Sequence, residues 1–275
     1  MKRVSNKQLG EIEMTLVERD RQVLETLRLL RYCKTNQLQR LFFYTASTPR
    51  AALTAAMKTL TRLKDTGLVD HLERRIGGNG GGTGAYIWFL TNAGVRLLDF
   101  EKEKMSSRRN SRKASSEFIR RILLVSEYYV QINEICRMSD KLRIIRLEVD
   151  PLCRRTFRLD GKDNVLYPDL YVELQSAKNR ERWFIELDLG FTSMNQIVER
   201  ARQYHQYHRT FLGADENKLF PFVLWIAGNS ERRDSMIKAI HDAFGSRWYE
   251  KFNLVIAPNQ LWTVLTEGPK KEELI

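Results

Sequence analysis

Three carboxylates in the second half of this 275-residue chain have the types and spacing for metal-dependent chemistry. Tyr167-Pro168-Asp169 and Phe184-Ile185-Glu186-Leu187-Asp188 each read as strand, and the six residues Gln175 to Arg180 fit a hairpin loop between them. Leu174 then pairs with Glu181, which sets Asp169 opposite Glu186 on one face. Cross-strand side chains at roughly 5 Å can together hold a hard divalent cation such as magnesium, which prefers oxygen ligands, and repel each other without one. Asp169 and Glu186 are therefore the candidate metal ligands. With Asp188 as an extra ligand they are also the catalytic candidates, if the site is active. A cation for the site could come from Arg200 or Arg202, on the helical stretch that follows. The plainer alternative places these acids on the solvent side of a hairpin in a catalytically silent domain. His205 and His208, three apart on a helix, read as surface residues. The four histidines, at 71, 205, 208 and 241, contain no His-hydrophobic-His metal site of the relaxase kind.

A second set of candidates is basic. Thr48-Pro49 supplies an N-cap and a proline at the first helical position, and Leu53, Ala56, Met57, Leu60 and Leu63 carry a 3.6-residue period that Gly67 ends. Opposite that stripe lie Arg50, Thr54, Lys58, Thr61 and Arg62, none of them acidic. If this is the third helix of a helix-turn-helix, Arg50 and Thr54 face bases in the major groove of double-stranded DNA while Lys58 and Arg62 hold phosphates. Arg74 and Arg75 precede a glycine-rich loop, residues 77–84, placed as in a wing that grips a backbone or probes the minor groove. The loop is flanked by strands and followed by no Lys-Ser or Lys-Thr, which excludes the nucleotide-cradling pattern. A solvated basic surface without a partner is the competing account.

Charge distribution supports the DNA account. The net charge is +12, with +7 in residues 1–100, +5 in residues 101–121, and 22 residues of each sign in the remainder. A basic module joined to a neutral one is the asymmetry expected of a nucleic-acid-binding protein with a second task. No apolar run approaches a membrane span and no secretory signal is visible, so no membrane partner and a cytoplasmic location are expected. Cys33, Cys136 and Cys153 are odd in number and form no Cys-x-x-Cys pair, which argues against a disulfide framework or a zinc module.

The elements that must position these residues follow from periodicity. A capping box at Thr15-Leu-Val-Glu18 opens a helix running to about Cys33, a short helix starts at Thr35, and the Thr48 helix follows. Strands at 68–76 and 85–90 enclose the glycine loop, a further helix starts at Thr91, and residues 101–116 are polar and basic. The expected architecture is α+β. A winged helix-turn-helix DNA-binding domain over 1–100 and a basic linker over 101–116 precede an α/β domain with a mixed central sheet over 117–275. The last is expected to run helix (117–138), strand (142–149), hairpin (165–174 with 183–189), helix (193–210), strand (220–227), helix (230–244), strand (252–256).

That order, with Pro168-Asp169 and then Glu186-x-Asp188, resembles the restriction-endonuclease-like fold and its Pro-Asp, Asp/Glu-x-Lys motif. The motif's lysine falls at Asp188, so the sign of the group meant to offset phosphate charge is reversed. Gln203-x-x-x-Tyr207 is similar to a helix motif in some nucleases of that fold. Across about residues 15–210 the chain resembles the replication-relaxation family of plasmids and integrative elements. The resemblance rests on Leu16-Val-Glu-Arg-Asp20, Gln37-Leu38 with Leu41-Phe-Phe43, Leu60-x-x-Leu63 to Gly67-Leu-Val69, Tyr86 to Leu90-Thr-x-x-Gly94, Pro168-Asp169 and Glu186-x-Asp188. It implies a winged helix joined to a degenerate endonuclease-like domain, acting in plasmid replication or in DNA relaxation for transfer. The leading expectation is a duplex-DNA-binding protein that marks an origin and recruits a relaxase or replication protein through an inactive nuclease-like domain, with no cofactor needed for DNA binding. The alternatives are a magnesium-dependent nicking endonuclease and a homodimeric transcriptional regulator.

Overall fold

The computed structural model describes residues 4–72, 86–100, 115–177, 179–214, 220–244 and 252–270. Arg74, Arg75 and the glycine loop lie outside the described residues, as does the basic stretch 101–116 up to residue 114. By internal contacts the chain divides into two compact units, Met1–Val130 and Gln131–Ile275.

In the first unit, helix α1 (Asn6–Glu13) precedes α2 (Glu18–Leu30), whose start differs from the expected box. The N-cap is Val17, whose N–H donates to the Asp20 carboxylate at 3.0 Å, while the Thr15 hydroxyl turns back to the Ile12 carbonyl. Strand β1 (Cys33–Lys34) is too short to leave a periodic signal; α3 (Thr35–Phe42) follows it. Helix α4 (Pro49–Asp65) begins as its sequence dictates, with the Thr48 hydroxyl accepting from the Ala51 N–H at 3.1 Å. It ends in a Schellman turn: Gly67 at φ +81° lets Leu68 N–H reach the Leu63 carbonyl at 3.0 Å. Strands β2 (Val69–His71) and β3 (Ile87–Leu90) join β1 in an antiparallel sheet of order β1-β3-β2. Thr91 then caps α5 (Asn92–Phe100), accepting from Gly94 N–H at 3.1 Å. The first half of α6 (Ser116–Met138), expected to open the second domain, packs on this unit: Gln37 and Arg40 both hold Glu127, and Ser126 donates to the Tyr32 carbonyl.

The second unit is built on a five-stranded mixed sheet of order β10-β9-β8-β7-β4. Strands β4 (Arg143–Val149), β7 (Leu170–Gln175) and β8 (Arg180–Leu187) are antiparallel, and β8, β9 (Phe222–Ile226) and β10 (Asn253–Ile256) run parallel. Helices α7 (Met194–Ala214) and α8 (Ser230–Phe244) form the crossovers, and a short helix α9 (Leu261–Glu267) closes the unit. The single strand expected at 165–174 is two. Pro168, which has no N–H to give a ladder, separates β7 from a hairpin of β5 (Arg155–Leu159) and β6 (Lys162–Leu166), turned at Asp160-Gly161 with φ values of 50° and 75°. Tyr171, Phe184, Val223 and Trp225 pack on one face against Tyr204 and Ala201 of α7 and Met236 and Ile240 of α8. All three cysteines are free, and Cys33 and Cys153 are buried. No helix among the described residues is long and apolar enough to cross a membrane.

Candidate nucleic-acid interface and buried acidic network

Helix α4 buries Ala52, Ala56, Leu60 and Leu63. The buried stripe is thus turned from the expected one by about one residue, leaving Leu53 exposed and Met57 half-buried. The opposite face keeps Arg50, Thr54, Lys58, Thr61 and Arg62 exposed. A shallow open groove of about 660 Å³ runs along it, lined by Leu53, Thr54, Met57, Lys58, Thr61 and Arg62, with Asp65 at its far end. The Thr54 hydroxyl donates to the Arg50 carbonyl at 2.9 Å, so outward it presents lone pairs and a methyl group. Arg62 is different. Its guanidinium lies 2.5 Å from Asp20, the carboxylate that starts α2, and Asp20 is 1% exposed. Arg62 therefore bolts α4 to α2 as well as facing solvent.

In the second unit the predicted register holds: Leu174 pairs with Glu181 and Leu170 with Ile185, and Asp169 N–H donates to the Ile185 carbonyl at 3.0 Å. Asp169 and Glu186 thus meet at the end of β7 and β8, and they are buried together with Asp188, instead of lying on a solvent face. Helix α7 supplies one partner set: Arg200 lies 2.8 Å from Glu186 Oε2 and the Tyr204 hydroxyl donates to Oε1 at 2.6 Å. Helix α8 supplies the other, with Arg232 gripping both oxygens of Asp188 at 2.7 and 3.1 Å and donating also to the Thr192 carbonyl. Asp169 accepts from the Leu187 N–H at 2.9 Å. The charge of Glu186 holds Arg200 above its ordinary range, and burial, then the same carboxylate, pushes the Tyr204 hydroxyl far up, so that it only donates.

This donor set does not fit a divalent cation. Both oxygens of Glu186 and both of Asp188 are engaged by guanidinium or hydroxyl donors, and the described residues contain no group of three or more His, Cys, Asp and Glu suited to a metal. Arg200 and Arg232 supply the charges that offset Glu186 and Asp188. Arg202 does not take part and pairs with Glu199. Gln203 is exposed, and the Tyr207 ring packs on Phe157 and Phe184, so the nuclease-like helix motif does not face the acids. His205 and His208, expected at the surface, stack on Phe252, and His208 is buried. Arg232, Tyr204 and Thr192 were not legible as site residues. Only the four-residue spacing of Arg200 and Tyr204 on one helix face carries a local signal.

The fold and these sites define a two-unit α+β protein with an exposed helix face rich in Lys, Arg and Thr in one unit and a buried acid–arginine network in the other. Over residues 24–223 the chain matches the family model described as Replication-relaxation, and it belongs to that family. No match is found among curated proteins or solved structures. Membership connects the chain with replication and relaxation, and the matched span takes in α4, Asp169, Glu186 and Arg200 but stops short of Arg232.

Proposed function

We propose that the chain binds duplex DNA through α4, in a winged-helix arrangement, as part of the replication or relaxation of a plasmid or integrative element. One observation carries the reading: Arg50, Thr54, Lys58 and Thr61 stand exposed in a row beside a groove on a helix preceded by two packed helices. Support comes from strands β2 and β3 after α4, which join β1 in one antiparallel sheet and whose connection would be the wing, and from the excess positive charge of the first 121 residues. In this reading Arg50 and Thr54 meet base edges and Lys58 a phosphate, while Arg62 chiefly holds α4 against α2. The second unit, with 22 Lys+Arg against 21 Asp+Glu, is the part left for a relaxase or replication protein. Its acid network acts as an internal ion-pair lock joining α7 and α8 to the sheet, and no nuclease step is proposed through it.

The test is duplex binding followed by anisotropy across a salt series, using fragments of the element that encodes the protein. Affinity should fall steeply with salt, and Lys58→Ala should reduce the slope by about one. A salt-independent affinity, or a slope that Lys58→Ala leaves unchanged, contradicts the reading.

A further inference from the structure

The near-balanced charge of the second unit, +1 in total, conceals an uneven surface. On the face of β4, β7 and β8 that carries Tyr171 and Glu173, Arg146 is registered with Glu173, and Glu173 with Arg182. Glu173 is buried, and its carboxylate is held by Arg180 at 2.6 Å and Arg182 at 2.9 Å. Two residues along β4, Glu148 is held by Arg146 at 2.7 Å and by Arg155 at 2.9 Å. The Arg155 guanidinium also lies 4.5 Å from the Tyr171 ring centroid. The result is two contiguous Arg-Glu-Arg triads, four guanidiniums to two carboxylates, three of the arginines on the five-stranded sheet and Arg155 on the β5–β6 hairpin.

Each carboxylate sits below a pair of arginines whose side chains remain 22–55% exposed. A surface ion pair needs one arginine per acid, and the second leaves a surplus charge on each triad. Arg180 and Arg182 are held through Nε, Arg146 through one terminal nitrogen, and Arg155 through both, one on Glu148 and the other on the Leu152 and Arg154 carbonyls; such anchoring reduces the rotamer entropy that a free arginine loses on binding, and a planar fork matches a phosphate with two parallel bonds. Glu173 and Arg182 lie four residues along β7 and β8 from Asp169 and Glu186, roughly 13 Å at strand rise, while Arg155, over the Tyr171 ring, lies at the end nearer the buried acids.

We infer that this arginine array is a second nucleic-acid contact, binding the phosphodiester backbone without reading bases. The inference rests on the proposed DNA-binding function and assigns to the second unit a direct part in it.

Arg146 and Arg180 are the clean probes, since Glu148 keeps Arg155 and Glu173 keeps Arg182 when they are removed. The full chain and its R146A/R180A variant are compared with the Lys58→Ala protein for binding to one duplex across a salt series. The double variant should lose about 1.8 from the slope of log K against log salt, about 0.9 for each phosphate contact, and the loss should be the same on unrelated sequences. R146K/R180K should keep the slope and bind more weakly, because lysine retains the charge and not the fork. If Lys58→Ala lowers the slope while R146A/R180A does not, the array is no DNA contact and the function of α4 stands. If neither changes it, both readings fall. An R146A/R180A protein that binds DNA normally but loses an acidic protein partner would also overturn the inference.

Discussion

Removing the guanidinium of Arg200 tests whether the acid network is closed by the protein's own cations. Glu186 is 3% exposed at its side chain and Arg200 33%, 2.8 Å apart. Truncating one partner of a buried pair costs about 3–5 kcal/mol because the other charge is left in a poorly solvating place. The partial exposure of Arg200 sets the expectation near the lower end, about 3 kcal/mol. At about 2–4 °C per kcal/mol for a chain of this size class, Arg200→Ala should melt roughly 6–12 °C lower by calorimetry or circular dichroism. Adding Glu186→Gln to Arg200→Ala should recover about 1–2 kcal/mol, since no uncompensated carboxylate then remains. Magnesium should leave the wild-type melting temperature where an equal ionic strength of sodium chloride puts it. A resident metal site would instead add about 2.7 kcal/mol at a hundredfold excess over its dissociation constant. A magnesium-specific rise in the wild type, together with an Arg200→Ala protein of unchanged stability, would refute the assignment of Arg200 as the counter-charge.

Other outcomes follow from single positions. Lys58→Ala should change stability by less than about 0.5 kcal/mol, whereas Arg62→Ala should cost about 1–3 kcal/mol by stranding the buried Asp20 carboxylate; urea unfolding of the two variants separates a DNA contact from a bolt. Gly94→Ala should prevent the first unit from packing, because a Cβ there would meet the Leu68 carbonyl oxygen at 2.2 Å, and amide exchange in β2 and β3 would report it. Burial, and secondarily the neighbouring His208, hold the His205 imidazole down to about 3 from 6.5. Between those values the unfolded chain binds the extra proton, so the neutral folded ring stabilises the protein above pH 6.5 and that contribution is lost as pH falls toward 3. The stability difference between the wild type and His205→Gln should therefore change as pH is lowered through that window, and a pH-independent difference would contradict it.

Helix starts and stops were legible where a side chain acts on backbone three or four residues away. Thr48-Pro49, Gly67 and Thr91 mark their boundaries because the groups they satisfy are local. The register of β7 and β8 was equally readable, since hairpin length alone sets Leu174 against Glu181. Asp160-Gly161 is a two-residue hairpin signal, but the polar residues that flank it, Arg158 and Lys162 to Asn164, carry no apolar alternation to mark the strands on either side. The face of α4 was off by about one residue because Leu53 satisfies the period yet meets no core.

From its residues alone the chain declared a basic first part, a run of helices with the caps of α4 and α5, and carboxylates converging at one end of a hairpin. Local hydrogen bonds and alternating polarity are enough to determine such features. What surrounds those carboxylates was decided only by folding. Arg232 comes to Asp188 across 44 residues because parallel crossovers return α8 to the end of β8. The Arg62 to Asp20 bolt likewise depends on how α4 packs on α2. The sign of the charge beside a buried acid is set by whichever distant helix lands there, and no spacing along the chain encodes that distance.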